Sequence, residues 1–226
     1  MKGMNIFLAA ALFIHTALCG QSQPTDPFLI VPGVRAGHFF LNQSYEPLEK
    51  LYKGYGFSQQ TDDWLNVNIL RNSEKALAFS PMFVAGGDER IPNTVGNSLL
   101  IESSDFRTAE GLGVGSSLRD LLNHYPKYII QITYTPEEDE APLKRAEFED
   151  VESLFKTLSQ DGFDGIDYYG TSFICLDAKG EKAGISFVFT MEQTDNPVLD
   201  VLTKESKVTA VFIHSENWTP EPDIWM

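Results

Sequence analysis

Cysteine is scarce in this chain, which has only Cys19 and Cys175 among its 226 residues. Cys19 falls in a predicted export leader, so the mature protein keeps one cysteine and can form no internal disulfide. Small secreted domains without a sufficient core depend on such bridges. We therefore expect a protein stabilised by its hydrophobic core, in which Cys175 is a buried apolar residue rather than a nucleophile.

Basic residues are also few. The chain has 17 Lys and Arg against 32 Asp and Glu, which gives a formal net charge of −15 at pH 7. Nucleic-acid phosphates and anionic lipid surfaces repel such a chain, so we expect neither as a partner. Two interpretations of the charge remain open: solubility alone, and an acidic face that binds a basic partner.

Long apolar runs are absent except near the N-terminus. There, a basic start at Lys2 precedes an apolar run over 6–18 and small residues, which is typical of a secretory signal peptide. The run is shorter than the roughly 20 residues that span a membrane. We predict a signal peptide over 1–20 and export of the mature chain to the periplasm or extracellular space, without a membrane-spanning segment. A lipid anchor at Cys19 is the less favoured alternative because Leu18, which precedes it, is not small.

Catalytic signatures are missing too. The sequence contains neither a Gly-x-Ser-x-Gly elbow nor a His-Glu-x-x-His zinc motif, so we expect no enzymatic activity and no cofactor. A secreted hydrolase with a dispersed active site is an alternative, because the members of a Ser-His-Asp set need not be neighbours in sequence. The histidines of the mature chain are His38, His124 and His214.

Alternating apolar and polar residues predict eight or nine strands, most of them joined as hairpins. Helical spacing predicts three helices, two of which begin near the N-cap residues Ser44 and Ser117, while the third covers Leu143–Gln160. Consecutive hairpins favour an α+β fold with antiparallel sheets over alternating βαβ units. We expect a single domain over 21–226.

Two stretches of the chain share one pattern of strand, serine cap and short helix. When Ser44 is aligned with Ser117, the positions on either side also match in character. The matched pairs are Phe39 with Leu112, Leu41 with Val114, Tyr45 with Leu118, Leu48 with Leu121, and Tyr52 with Tyr125. The pattern predicts a two-fold internal structural repeat with halves of about 28–100 and 101–226.

This unit, with its leucines spaced along a short capped helix, resembles the repeat of small exported bacterial modules. These are the β-lactamase inhibitor protein family and the small lipoprotein of the outer-membrane assembly machine. Their repeats pack a helical pair against an antiparallel sheet and bind other proteins. The resemblance implies an exported, non-enzymatic protein-binding or envelope-associated module, whose partner would be another envelope or secreted protein.

Charged residues crowd the segment before the second serine cap, at Asp105, Arg107 and Glu110. Local ion pairs at the surface are one interpretation. The functional interpretation is a binding hot spot centred on Arg107, because arginine often anchors interfaces. Glycines follow at 111, 113 and 115, and we favour a structural role for them over an anion-binding loop, because the spacing matches no phosphate-binding fingerprint.

Three carboxylates recur at every third position in Asp161, Asp164 and Asp167, between glycines. Closely spaced aspartates in flexible loops can bind calcium. The order of an EF-hand loop is absent, so a calcium- or small-ligand-binding module is a further alternative rather than the leading hypothesis.

Overall fold

The computed structural model describes residues 26–63, 66–87, 89–134, 144–154, 156, 172–179, 184–191 and 202–215. These ranges are mostly sheet, which is consistent with the expected α+β class and also with a mainly β protein. The strands are β1 (Leu29–Val31), β2 (Arg35–Ala36), β3 (Phe39–Phe40), β4 (Gln43–Ser44), β5 (Phe57–Thr61), β6 (Val67–Arg71), β7 (Glu74–Phe79), β8 (Thr94–Val95), β9 (Ser98–Ile101), β10 (Arg107–Thr108), β11 (Tyr128–Tyr134), β12 (Lys144–Phe148), β13 (Ser172–Ala178), β14 (Ile185–Met191) and β15 (Ala210–His214), and the helices are α1 (Leu48–Leu51) and α2 (Leu118–His124). None of the helices in these ranges is long and apolar enough to cross a membrane.

Nine strands form one sheet in the order β12-β11-β13-β14-β15-β9-β7-β6-β5. Every neighbouring pair in this sheet is antiparallel, as the hairpin pattern predicts. The central strand is β15, which pairs with β14 on one side and with β9 on the other. It therefore joins strands from the two predicted halves of the chain into one continuous sheet.

Two smaller sheets complete the described architecture. One has the order β10-β1-β2-β3, and the other is the pair β4-β8. Strands β1 and β10 run parallel, with Leu29 opposite Arg107. This parallel pairing joins residues far apart in the sequence, and it differs from the antiparallel sheets expected from the hairpin pattern. It places the segment that begins at Arg107 beside the first described strand.

The hairpin between β6 and β7 turns through two residues, Asn72 and Ser73. Both have positive φ, at 50° and 72°. A two-residue turn of this kind has a twist that matches the right-handed twist of the flanking strands. The turn places the last residue of β6, Arg71, opposite the first residue of β7, Glu74.

Both faces of the central strands are buried. The main core combines Leu77, Ile101 and Phe187 from the large sheet with Leu121 and Tyr125 of the α2 region. The opposite face carries a smaller cluster of Cys175, Val188 and Ala210. Cys175 is buried and makes no disulfide, which confirms its expected place as an apolar core residue.

Helix α2 begins at the serine cap that the sequence predicts. The Ser117 side chain accepts a hydrogen bond from the Asp120 backbone N–H at 3.2 Å, and the Ser117 backbone N–H donates to the Asp120 carboxylate at 2.9 Å. This reciprocal pair is a capping box. The inward face of the helix carries Leu118 and Leu121, both buried, as predicted.

The predicted cap at Ser44 is wrong. Ser44 lies in β4, opposite Thr94 of β8, so its backbone is extended and bonded in a sheet. Helix α1 begins at Leu48, and the N-cap position falls to Pro47, which offers no side-chain cap. The two serines therefore have different roles, and a two-fold repeat stays a prediction.

The predicted helix over Leu143–Gln160 is wrong in its first part. Lys144–Phe148 forms β12, which pairs with β11 along its whole length. A helical turn covers 151–154 and is capped by the Asp150 carboxylate, which accepts from the Ser153 N–H at 2.6 Å. Pairing with the edge of β11 thus takes residues 144–148 into a strand, and the helical turn begins only after it. Residues 143, 155 and 157–160 of the predicted helix lie outside the described ranges.

Candidate functional site

A polar cleft lies where β6 ends, β7 begins and β9 ends. Its volume is about 300 Å³. The Glu102 backbone N–H donates to the Ala76 carbonyl of β7 at 2.9 Å, which holds the segment after β9 against the hairpin. Its lining includes the charged and hydroxyl side chains of Arg71, Glu74, Lys75, Glu102, Ser103 and Asp105. We call this feature the Arg71–Glu102 cleft.

The Arg71 guanidinium is held from two sides. Its Nη1 forms an ion pair and hydrogen bond with Asp105 Oδ2. Its Cζ lies 5.4 Å from the centre of the Phe28 ring, in a cation–π arrangement. The Ser103 hydroxyl donates to the same Asp105 oxygen at 2.9 Å. Because partly exposed ion pairs contribute only about 0–1 kcal/mol, the main effect of these contacts is to fix the orientation of the guanidinium.

The three charged residues singled out in the sequence take different partners. Asp105 lies in the Arg71–Glu102 cleft. Arg107 is half-buried, and its Nη1 donates to the Val114 carbonyl. Glu110 Oε1 lies 3.6 Å from His124 Nε2. A hot spot centred on Arg107 stays a prediction, and its side chain is engaged by the backbone of its own loop.

Arg71 and Glu102 were not among the residues singled out in the sequence. Neither residue belongs to a local motif, and about thirty positions separate them in the chain. Only the sheet order, in which β7 lies between β6 and β9, brings their strand ends together. A charged residue on each side of the Asn72-Ser73 turn is the one local signal that the sequence offers.

The three glycines at 111, 113 and 115 do not form an anion-binding loop. The Gly111 N–H donates to the Thr108 carbonyl at 2.9 Å, and the Gly115 N–H donates to the Val208 carbonyl at 2.7 Å. The Gly113 N–H donates to Ser116 Oγ at 3.0 Å. The N–H groups of all three glycines therefore donate within the protein, which agrees with the structural role favoured from the sequence.

The segment made of residues 82–87 and 89–91 carries an exposed apolar surface, and we call it the apolar loop. Phe83 is 48% exposed, Val84 is 44% exposed and Ile91 is 36% exposed. Backbone bonds hold the loop as a small hairpin, with the Val84 N–H donating to the Glu89 carbonyl at 2.7 Å. The Arg90 guanidinium lies 5.7 Å from the centre of the Phe83 ring. Backbone hydrogen bonds therefore pair the two strands of residues that carry these apolar side chains.

A serine, a histidine and an aspartate meet on the large sheet. The Ser186 hydroxyl donates to Asp177 Oδ1, and Ser186 Oγ lies 3.3 Å from His214 Nε2. His214 Nδ1 lies 3.2 Å from the Ser215 carbonyl oxygen, in the position where a catalytic triad has its carboxylate. Ser186 is 0% exposed. The three residue types of a catalytic triad are present, but the serine hydroxyl donates to the aspartate, and the histidine Nδ1 lies beside a backbone carbonyl. The buried serine hydroxyl is also out of reach of a substrate.

Titratable groups also gather around the hydroxyl of Tyr52. This hydroxyl donates to the Pro27 carbonyl at 3.0 Å and accepts from the His38 N–H at 3.3 Å. Burial is the main cause of each shift: it raises the pKa of Tyr52 and lowers the pKa of His38 and of Arg35. The positive charge of Arg35 lowers the pKa of His38 further. These shifts follow from packing within an aromatic cluster that also includes Phe28 and Phe39.

The candidate calcium ligands Asp161, Asp164 and Asp167 lie outside the described residues. Within the ranges that the structure does describe, no group of three or more His, Cys, Asp or Glu side chains is placed to hold a metal ion. Comparisons with known proteins find no matching family model, no matching curated protein and no matching solved structure.

Proposed function

We propose that this chain is a non-enzymatic protein-binding module, and that the apolar loop is its docking surface for a basic partner protein. The observation that carries the proposal is the exposure of Phe83, Val84 and Ile91 close together in the apolar loop. Aromatic and arginine side chains are enriched among the residues that dominate binding energies. The loop offers both, in Phe83 and the Arg90 side chain stacked on it.

The charge of the chain supports a basic partner. A formal net charge of −15 at pH 7 attracts a positively charged protein over long distances and repels acidic ones. Attraction of this kind accelerates encounter, whereas the apolar side chains stabilise the complex once it forms. The proposal therefore gives the two features separate roles.

The proposal includes the features inferred from the N-terminus and from the resemblance. A signal peptide over 1–20 would export the chain, so its partner would be another envelope or secreted protein. The resemblance to exported repeat modules supports a binding role, and a two-fold internal repeat would be part of that relationship.

The experiment compares three immobilised proteins for capture from the envelope and secreted fractions of the source organism. These are the wild type, the double variant Phe83→Ser with Val84→Ser, and the control Val34→Ser. Val34 lies outside the apolar loop and is 45% exposed, close to the 44% of Val84. A captured protein is then purified, and its dissociation constant is measured for all three proteins at low and high salt.

We expect the double variant to bind the purified partner about tenfold more weakly or worse, because the substitutions remove hot-spot contacts. The control is expected to bind like the wild type, and added salt should weaken binding to the wild type. A purified partner that binds the double variant as tightly as the wild type would overturn the proposal. Failure to capture any protein reproducibly would overturn it as well.

A further inference from the structure

Strand β5 is one edge of the nine-stranded sheet, and its outer side has no partner among the described strands. Residues 58–61 of this strand are exposed. The opposite edge, β12, carries three charged side chains in its five residues, namely Lys144, Arg145 and Glu147. Charged side chains on an edge strand discourage pairing with another chain. Strand β5 has no charged residue, so that protection is absent there.

The hydrogen bonds at the two ends of the β5–β6 pair show which backbone groups point outward. The Asn72 N–H donates to the Gly56 carbonyl at 3.0 Å, and the Asp62 N–H donates to the Asn66 carbonyl at 3.1 Å. The register between these ends is uninterrupted, and bonded and non-bonded pairs alternate along an antiparallel pair. The N–H and C=O groups of every second residue from Phe57 to Thr61 therefore point away from β6, and no described residue bonds to them.

The segment around α1 contacts β5 on one face and leaves its edge open. The centres of the Phe57 and Tyr52 rings are 4.3 Å apart, and the Tyr45 hydroxyl donates to Gln59 Oε1 at 2.8 Å. Side chains two positions apart in a strand lie on the same face of the sheet, so both contacts fall on one face. Together with β6 they hold β5 in an extended conformation, so pairing would cost little further ordering of the strand.

We propose that β5 pairs with β5 of a second copy of this chain, antiparallel and about a two-fold axis at Gln59. In this register Phe57 lies opposite Thr61 of the second copy, and Gln59 lies opposite its own equivalent. The outward groups of the two strands then face each other and form about six hydrogen bonds between the chains. Strand β5 shares no residue with the apolar loop, so this inference stands apart from the proposed function.

The side chains of β5 are complementary to themselves in this register. Phe57 opposite Thr61 is a pair of an aromatic and a β-branched residue, which stabilises antiparallel sheets, and Ser58 opposite Gln60 is a neutral polar pair. No like charges meet within the strand, although the chain carries a formal net charge of −15.

The charges that flank β5 also favour a second copy as the occupant. Lys53 precedes the strand and Asp63 follows it, and both residues are exposed. An antiparallel pair places the leading end of one copy beside the trailing end of the other. Lys53 of each copy therefore lies at the end of the paired strands where the other copy carries Asp63, and opposite charges on facing surfaces favour association.

The test measures the mass of the purified wild-type chain by sedimentation at increasing protein concentration, where we expect a reversible dimer. In the variant Ser58→Lys with Gln60→Lys, the two-fold register places lysines opposite each other at two pairs. We expect about tenfold weaker dimerisation or worse, because like charges directly opposite each other destabilise a sheet. In the variant Ser58→Lys with Gln60→Glu, the same pairs carry opposite charges, and dimerisation should be at least as strong as in the wild type.

The control is Gln43→Lys with Ser44→Lys, which adds the same charge at two exposed positions of β4. It is expected to dimerise like the wild type, and melting curves check that every variant is folded. Hydrogen exchange of the wild type supplies a measurement that needs no variant. The amides of 57, 59 and 61 should exchange more slowly as the protein concentration rises, because they become bonded in the dimer.

Several results would overturn the proposal. One is a wild type that stays monomeric at every concentration. Fast exchange of the edge amides would then indicate an edge open to a strand of another protein, and slow exchange would indicate that another segment of this chain covers it. Equal dimerisation of the double lysine variant and the wild type would place the interface elsewhere. Loss of the dimer in the variant with opposite charges would contradict the two-fold register.

Discussion

The Ser117 hydroxyl and the Asp120 carboxylate lie 2.6 Å apart and close the first turn of α2. Hydrogen bonds from the Ser117 hydroxyl and backbone N–H lower the pKa of Asp120. We expect Ser117→Ala to lower the free energy of unfolding by about 1 kcal/mol, because it leaves an N-terminal N–H of the helix without its cap. Urea denaturation near neutral pH measures the change.

The matched control is Ser44→Ala. Ser44 is exposed, lies in β4 and caps no helix. Its replacement is expected to change the free energy of unfolding by less than about 0.5 kcal/mol. Equal losses in the two variants would contradict the assignment of different roles to the two serines.

Gly37 is predicted to tolerate no side chain. Its φ is +55°, and an added Cβ would lie 2.2 Å from the Pro27 carbonyl oxygen and 2.4 Å from the Tyr52 hydroxyl oxygen. Gly54 has a φ of +82°, and an added Cβ there would meet nothing within 4 Å. Gly54→Ala should therefore cost only the conformational strain of about 1–2 kcal/mol, whereas Gly37→Ala should cost about 1–3 kcal/mol more through overpacking. Thermal and urea unfolding measure the stability of both variants. A larger loss of stability in Gly54→Ala than in Gly37→Ala would contradict the prediction.

His38 is expected to make the fold less stable in mild acid. Its pKa in the folded protein lies below the ordinary value of 6.5, first because of burial and then because of Arg35. Well above pH 6.5 the His38 imidazole is neutral in both the folded and the unfolded protein, so it does not make the free energy of unfolding depend on pH. As the pH falls through 6.5, the unfolded chain binds a proton before the folded protein does, so the free energy of unfolding decreases.

The measurement compares wild type and His38→Gln by urea denaturation at about pH 7.5 and about pH 5.5, on either side of the ordinary histidine value. Carboxylates titrate in both proteins, so the difference between them isolates His38. We expect the variant to lose less stability than the wild type on acidification. An identical loss in both proteins would show that His38 takes up its proton equally easily in the folded and unfolded states.

The Cys175 thiol is expected to be inert in the folded protein, because Cys175 is buried in the cluster with Val188 and Ala210. The experiment uses a chain carrying Cys19→Ser, so that Cys175 is the only thiol. Without denaturant, Ellman's reagent should react with it no faster than the protein unfolds, and after denaturant is added the reaction should be rapid. Rapid reaction without denaturant would show that the thiol is accessible.

Ser186 is expected to resist fluorophosphonate probes, which label the nucleophilic serines of hydrolases. Its hydroxyl is fully buried and lies between Asp177 and His214. Mass spectrometry of the treated protein should find this serine unmodified. Stoichiometric labelling, lost in His214→Ala, would instead favour a hydrolase.

The features that sequence patterns predicted well depend on neighbours in the chain. The cap at Ser117 joins residues three positions apart. The burial of Cys175 follows from an apolar strand, whatever strand lies next to it. Where a distant strand competed, local patterns failed. Pairing with Thr94 drew Ser44 into β4, and pairing with β11 drew the first residues of a predicted helix into β12.

The sequence by itself determined that the chain has a sheet-rich core without disulfides and a capped second helix, because periodicity, cysteine number and capping residues act over a few positions. Only the tertiary structure decided where charge and apolar surface meet solvent. The Arg71–Glu102 cleft exists because β7 separates β6 from β9 in the sheet and aligns their ends. Asp105 and Phe28, both distant in sequence from Arg71, hold its guanidinium in place at this cleft.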